Sequence, residues 1–235
     1  MKKDILNFPI ALLKVDNLHR DPWRDIAGWL DDVADFAIYQ NYKQNKYNAA
    51  AYQKAADDFN IKLNNLKQSY DNGCKLSQYR NGRDVYTRMN LTTFWDFYKN
   101  KKTNYEIACL LAYLALCSII GNLNDINYSR TNFSMMFARM SGYKSPKETG
   151  YTISENVKYY DVEYRRNKLI NTLRLDWGLC YYAARGIRGF YVSFDGLEII
   201  VRAAEQRRKS RRLKELEKET VAIRQKVLRE LNSPP

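Results

Sequence analysis

Apolar residues recur every three or four positions along much of the chain, a spacing that predicts a mainly helical fold. In the first hundred residues it predicts two helices, one that opens at Asp21-Pro22 and one that extends from about Ala49 to Tyr70. The sequence Asp71-Asn72-Gly73 is typical of a turn and is expected to end the second helix. Residues 93–99 predict a short helix that packs the first half of the chain against the second.

The hydrophobic pattern becomes sharper in the second hundred residues. Thr103 and Glu106 have the spacing of a capping box, in which each side chain bonds the other residue's free backbone N–H. The helix that follows is apolar on most faces, which predicts a buried central helix. A short strand is expected within 124–130, followed by a second helix, which Thr131 caps and Gly142 ends.

A third helix and a hairpin follow a polar connection at 144–161, which has room for one short extra helix. The third helix is basic and amphipathic and is predicted for 162–177. Two strands are predicted after it, Cys180–Ala184 and Phe190–Phe194. They are joined by the turn Arg185-Gly186-Ile187-Arg188-Gly189, whose glycines allow the positive φ angles of a tight hairpin.

Residues 103–194 resemble a winged helix-turn-helix DNA-binding domain. The order of helix, strand, helix, connection, helix, strand, turn and strand is that of the family, and an Arg-Gly-x-Arg-Gly sequence stands at the wing tip. The resemblance implies that helix 162–177 enters the major groove and that the wing, 180–194, reaches the neighbouring DNA backbone. The connection at 144–161 departs from the family, because its second and third helices normally join by a tight turn.

The last forty residues predict a long helix that starts at Asp195-Gly196-Leu197-Glu198 and extends to about Leu231. Leu213, Leu216, Thr220, Ile223 and Val227 form a short heptad-like seam on it. The seam either pairs two chains or folds back on the protein's own N-terminal helices. The expected organisation is therefore an N-terminal region for support or dimerisation (1–100), a winged-helix domain (101–195) and a basic C-terminal helix (196–235).

The charge of the chain favours a polyanionic partner. It has 39 Lys and Arg against 26 Asp and Glu, a formal charge of +13. Such an excess points to nucleic acid first and to an anionic membrane surface second. Residues 196–235 hold 11 of these basic groups and 6 of the acidic ones, the densest positive region of the chain.

The outward face of the third helix carries the side chains that contact bases. Placing 162–177 on a helical wheel puts Val162, Leu169, Leu173 and Trp177 on the buried face, with Arg165 and Arg166 beside it. The opposite face holds Tyr164, Asn167, Lys168, Asn171 and Arg174. The side-chain amide of Asn can make a paired donor and acceptor contact to adenine, Arg or Lys can bond guanine, and Tyr can bond phosphate. The alternative is an ordinary solvated face of a basic helix.

Further contacts are expected from the wing and the C-terminal helix. Arg185 and Arg188 flank the turn of the wing, where they reach phosphate or the minor groove, or are simply exposed to solvent. The C-terminal basic tract is a second candidate for phosphate contacts, and the alternative is again a solvated helix face. Its cations are Arg207, Arg208, Lys209, Arg211 and Arg212.

The sequence does not favour catalysis, a metal or a cofactor. It contains one histidine, His19, its four cysteines have no CxxC spacing, and it has no Walker A or GxGxxG loop. Asp31, Asp32 and Asp35 are neighbouring acids that fit a solvated helix face better than a metal site.

The apolar run Ile107–Ile120 is too short for a membrane span, and the N-terminus does not fit a signal peptide. A cytoplasmic protein of a bacterium, nucleoid-associated or encoded by a phage or plasmid, is expected.

These observations predict a non-enzymatic protein that binds double-stranded DNA, most simply as a transcriptional regulator. A homodimer is expected, formed through the C-terminal helix or through the N-terminal half. One alternative is a replication initiator of a plasmid or phage. Another is a structural or interaction protein of a mobile element, which binds nucleic acid or an acidic partner without recognising sequence.

Overall fold

A computed structural model of the chain describes residues 5–13, 28–42, 44, 46–78, 85–121, 127–186 and 188–231. Within them the fold is mainly α, as predicted. The helices are α1 (Trp29–Tyr42), α2 (Ala49–Asp57), α3 (Leu66–Ser77), α4 (Leu91–Lys99), α5 (Asn104–Ile120), α6 (Phe133–Met140), α7 (Glu155–Lys158), α8 (Glu163–Asp176) and α9 (Leu197–Leu231). The strands are β1 (Ile5–Pro9), β2 (Tyr86–Asn90), β3 (Tyr128–Thr131), β4 (Cys180–Tyr182) and β5 (Phe190–Ser193). The predicted helix start at Asp21-Pro22 and His19 lie outside the described residues.

The predicted turn at residues 71–73 is wrong, because these residues lie inside α3. The break comes earlier, between α2 and α3, where Asn65 caps α3 by accepting a hydrogen bond from the N–H of Gln68. Gly73 faces α1 so closely that a Cβ would lie 2.6 Å from both the Asp35 carbonyl oxygen and the Tyr39 Cβ. This glycine therefore serves the close approach of two helices, and not a turn.

The N-terminal half also contains a small sheet that the sequence did not predict. β1 and β2 pair antiparallel, with Ile5 opposite Asn90 and Pro9 opposite Tyr86. The strands are far apart in the chain, so no local turn signal marks their pairing. The Thr87 hydroxyl donates to the Leu114 carbonyl at 2.7 Å and joins this sheet to α5.

Helix α5 is the buried centre of the fold. Its predicted capping box is confirmed, with the Thr103 side chain and the Glu106 side chain each bonded to the other residue's backbone N–H. α5 contacts β2, α6 and α8, and one continuous hydrophobic core extends from Leu6 to Val192. The domain boundary expected near residue 100 therefore lies within a shared core, and the three-part division stays a prediction.

The second sheet has three antiparallel strands in the order β3-β5-β4. Thr131 pairs with Phe190 as the last residue of β3, and the N-cap of α6 is Asn132, which accepts from the N–H of Met135. The prediction that Thr131 caps this helix is therefore wrong by one residue. Gly142 follows α6 with a φ of 79°, in agreement with its predicted role at the helix end.

Helix α9 packs on the three-stranded sheet only through its first turns. Ile200 and Ala204 are fully buried there, against Tyr191 and Ala184. Every side chain described from Gln206 to Lys226 is exposed. The predicted seam therefore does not fold back on the N-terminal helices. Among the described residues, no helix is both long enough and apolar enough to span a membrane.

Candidate nucleic-acid interface

Helix α8 is held against the core along one face. Leu169, Ile170 and Leu173 are buried, and the Tyr105 hydroxyl on α5 bonds the Thr172 hydroxyl at 2.7 Å. Val162 was expected on the same face, but it is 53% exposed. It precedes the helix with an extended backbone (φ −97°, ψ 137°), so the helical period does not apply to it. The buried face is therefore shorter than predicted.

The opposite face of α8 is open, as the sequence predicted. Tyr164 is 76% exposed, and Asn167, Asn171 and Arg174 are exposed as well. Within the described part of the chain, neither asparagine amide makes a hydrogen bond to another side chain or to the backbone. Both amides are therefore available to an external partner.

Leu175 lies on this same face and was missed by the sequence analysis. It is 83% exposed, one helical turn after Asn171. An exposed leucine beside polar base-contacting groups has the chemistry to touch a thymine methyl group. The sequence could have indicated it, because the helical period places Leu175 on the polar face of an otherwise regular amphipathic helix.

Two of the predicted cations on α8 have intramolecular partners. The Lys168 ammonium lies 4.7 Å from the centroid of the Tyr105 ring. The Arg165 guanidinium lies 3.6 Å from the centroid of the Tyr159 ring and donates to the Tyr159 carbonyl at 2.9 Å. Both contacts are cation–π interactions, which fix the direction of each side chain. Contacts from either residue to DNA would compete with these partners.

The tip of the β4–β5 hairpin is tied to β3. Arg130, on β3, donates from Nε and Nη2 to the Arg188 carbonyl at 3.0 and 2.6 Å. Gly189 has a φ of 82°, and a Cβ there would lie 2.2 Å from the Thr131 carbonyl oxygen. Arg185 and Arg188 are exposed beside this fixed backbone. Arg130 was not among the predicted residues, since its contact depends on a strand distant in sequence.

The basic tract of α9 meets the same hairpin tip. Arg211 donates from Nη1 to the Gly186 carbonyl at 2.9 Å, and from Nε to Glu215 at 2.9 Å. Arg130 and Arg211 therefore bond the backbone of the tip, to which Arg185 and Arg188 themselves belong, so that four arginines from three elements meet at this turn. Such a cluster attracts phosphate.

The remaining cations of the tract point into solvent. Arg208 lies 3.8 Å from Glu205, a long and exposed ion pair. Arg207, Lys209 and Arg212 are exposed and have no ion pair with any residue that the structure describes. These three side chains keep their full charge available to a polyanion.

Asp31 and Asp35 of α1 line a separate groove of about 930 Å³, together with residues of α3 and Tyr98. Asn72 donates to Asp32 at 3.0 Å and to Asp35 at 2.8 Å, and Ser69 donates to Asp35. Burial raises the pKa of Asp35 above its ordinary value. Among the described residues, no three His, Cys, Asp or Glu side chains are grouped to hold a metal ion.

Comparison with known proteins adds one distant relative. No family model matches the chain, and no solved structure matches it. An uncharacterized protein of Metamycoplasma hominis is 25% identical over 141 residues, which cover 60% of this chain. The matched region is about half of that relative's length.

Proposed function

We propose that residues 101–195 form a winged-helix domain that binds double-stranded DNA. The observation that carries the proposal is the pairing of two surfaces: unbonded asparagine amides on α8, and four arginines at the hairpin tip. The element order α5-β3-α6-α8-β4-β5 and the strand order β3-β5-β4 support the resemblance to the winged-helix family. The long connection between α6 and α8, with α7 inside it, remains its departure from that family.

Each surface has a distinct role in the proposal. Asn167 and Asn171 on α8 bond base edges in the major groove, where an amide matches the donor and acceptor of adenine. Arg185 and Arg188 on the hairpin bond phosphates beside the groove, which positions the protein without recognising sequence. The α9 tract adds non-specific attraction through its unpaired cations.

The role that fits such a protein is a non-enzymatic transcriptional regulator in the bacterial cytoplasm, associated with the nucleoid. The proposal includes a homodimer, because helix-turn-helix proteins commonly bind two half-sites related by symmetry. Base contacts from α8 distinguish this role from that of a packaging protein, which needs only the charge.

The wing is tested by the salt dependence of DNA binding. Arg185→Gln/Arg188→Gln and the native chain are titrated against a labelled random-sequence duplex at several salt concentrations. Each arginine that leaves a phosphate lowers the slope of log affinity against log salt by about 0.9, so the double variant loses about two units. A charge-matched control, Lys54→Gln/Lys62→Gln, removes two exposed lysines of the N-terminal half and is expected to leave the slope near the native value. Equal slopes for the wing variant and this control contradict the proposal.

A further inference from the structure

The second half of α9 leaves exposed an apolar stripe that no described part of the chain covers. Leu213 is 61% exposed, Leu216 50% and Ile223 64%, in a segment otherwise rich in charged residues. They are spaced by three and seven residues. By sequence, Thr220 and Val227 occupy two further positions of the same stripe, and Glu230 occupies the last one. Such spacing is that of the a and d positions of a coiled coil.

The charges beside the stripe select a partner. With Leu213 at position a and Leu216 at position d, the flanking e and g positions have alternating charge. The g positions hold Arg212, Glu219 and Lys226, and the e positions hold Glu217, Arg224 and Leu231. The side chains of Arg212, Glu217, Glu219 and Arg224 are exposed, and none of these four has an ion pair with the described residues of its own chain. Their charges are therefore available to a second helix.

We propose that residues 212–231 of α9 pair with the same segment of a second copy as a parallel, in-register, two-stranded coiled coil. In that arrangement each g position faces the e position of the next heptad on the other chain. Arg212 then faces Glu217 of the second copy, and Glu219 faces Arg224 of the second copy. Both pairs have opposite charge, and each occurs twice by symmetry.

The stripe itself favours the parallel orientation. In register, Leu213, Leu216 and Ile223 each pack against their own counterpart, so that leucine meets leucine and isoleucine meets isoleucine. The antiparallel arrangement with the greatest overlap puts Leu213 opposite Glu230, so that an apolar residue meets a charged one at each end of the stripe. The parallel pair therefore matches apolar residues with apolar residues along more of the stripe.

The pairing has a consequence at the other end of α9. Arg211 is bonded to the hairpin tip immediately before the stripe begins, so a parallel pair places both hairpin tips at the same end of the coiled coil. Two copies would then present their arginine clusters side by side to one duplex. This consequence rests on the proposed function, whereas the pairing itself needs no DNA.

The pairing is tested by sedimentation of the full chain without DNA. The native protein is expected at twice the monomer mass of 27.7 kDa. Ile223→Lys puts two ammonium groups into the stripe and is expected to raise the dissociation constant by about a hundredfold or more. The matched control Val221→Lys alters a residue 52% exposed on the outer side and should leave the dimer intact. A native monomer at every concentration, a larger assembly, or equal effects of the two lysines overturns the proposal.

The orientation is tested by charge reversal at residues outside the proposed DNA surface. Glu219→Arg faces Arg224 of the second copy and should raise the dissociation constant about tenfold. Glu219→Arg/Arg224→Glu restores opposite charges and should return the constant to near its native value. Residues five apart are not neighbours on one helix, so this rescue cannot arise within a single chain. In an antiparallel pair Arg224→Glu would instead face Glu217, so a dimer that the double variant fails to rescue overturns the parallel orientation. Dimerisation and DNA binding are measured separately, so either can fail alone.

Discussion

Two glycines at the hairpin tip differ in their surroundings, although both have positive φ angles. Gly186 has a φ of 78°, and a Cβ there would meet no atom within 4 Å. Gly189 has a φ of 82°, and its Cβ would overlap the Thr131 carbonyl oxygen. Only at Gly189 does the absence of a side chain also allow two backbones to approach.

This difference predicts unequal effects of alanine. Gly186→Ala should lower the free energy of unfolding by about 1 kcal/mol, the usual cost of a left-handed conformation with a Cβ. Gly189→Ala should lower it by about 3 kcal/mol or more, because the β3–β5 pairing must shift as well. Urea denaturation measures both. Equal losses would mean that the contact with Thr131 does not constrain the tip.

The Asp35 carboxylate on α1 accepts hydrogen bonds from two neighbouring side chains, but it is partly buried. Ser69 and Asn72 favour its ionised form, whereas burial disfavours it, and the balance raises its pKa above the ordinary 3.8. The folded state therefore binds this proton more tightly than the unfolded state does. The protonated carboxyl therefore stabilises the folded state. This contribution is fully present at a pH below the ordinary pKa, and it is lost as the pH rises through the raised pKa of the folded state.

The pH dependence of Asp35→Asn should show this loss. As the pH rises from about 4 to 7, the free energy of unfolding of the native chain should fall relative to that of the variant. Urea denaturation of both proteins at a series of pH values gives the difference. A difference that stays constant, or changes with the opposite sign, would show that hydrogen bonding outweighs burial at this carboxylate.

The exposed amides of α8 could be predicted from the sequence, because their placement follows from the helical period alone. The partners of Arg165 and Lys168 could not, since they are aromatic rings brought near by tertiary packing. The same holds for Arg130, whose contact is with a backbone 58 residues away. Helical periodicity indicates which side chains leave the core, but not which of them find another partner.

At the scale of elements, the sequence predicted the start of a helix correctly where only one residue could act as the N-cap. Thr103 and Glu106 form their box as expected. At residues 131 and 132 two good capping residues are adjacent, and the choice depends on whether Thr131 belongs to β3. It does, because it pairs with Phe190 on a strand that the local sequence cannot reveal.

The cap of α6 gives a prediction at this scale. Asn132→Ala removes the side-chain acceptor for the Met135 N–H and should lower the free energy of unfolding by about 1 kcal/mol. Thr131→Val keeps the shape of the neighbouring residue and removes only a hydroxyl whose bond is long, at 3.5 Å. Thermal or urea denaturation should show the smaller loss for Thr131→Val, and the reverse order would restore Thr131 as the cap.

Some elements could not be predicted because their causes are not local. Asp71-Asn72-Gly73 has the residue types of a turn, yet it lies in α3, where Gly73 leaves room for the close approach of α1. β1 and β2 form only because they pair with each other across most of the N-terminal half. In both cases the deciding contact comes from another element.

At the scale of the whole molecule, a compact body carries one long helix that extends beyond it. The first turns of α9 pack on the three-stranded sheet in a second, small hydrophobic cluster, and the charged half of that helix is exposed. A positive tract beside the arginine cluster of the hairpin should strengthen binding to every duplex equally.

Neutralising the tract should therefore change affinity but not sequence preference. Arg207→Gln/Lys209→Gln removes two cations without ion pairs among the described residues. The slope of log affinity against log salt should fall by up to about 1.8, with the same relative affinities for different sequences. Competition titrations with several duplexes measure both quantities. A changed order of preference would assign base contacts to α9.

The central claim, that the outer face of α8 contacts bases, is tested most directly by selection from a random duplex pool. The native chain and Asn167→Ala/Asn171→Ala are compared, since both amides are exposed and unbonded and their loss should not disturb folding. We predict that the native chain enriches a defined sequence containing adenine, and that the variant loses preference at those positions while keeping salt-sensitive binding. The same sequence enriched by both proteins, or salt-sensitive binding without any enriched sequence, would contradict the account.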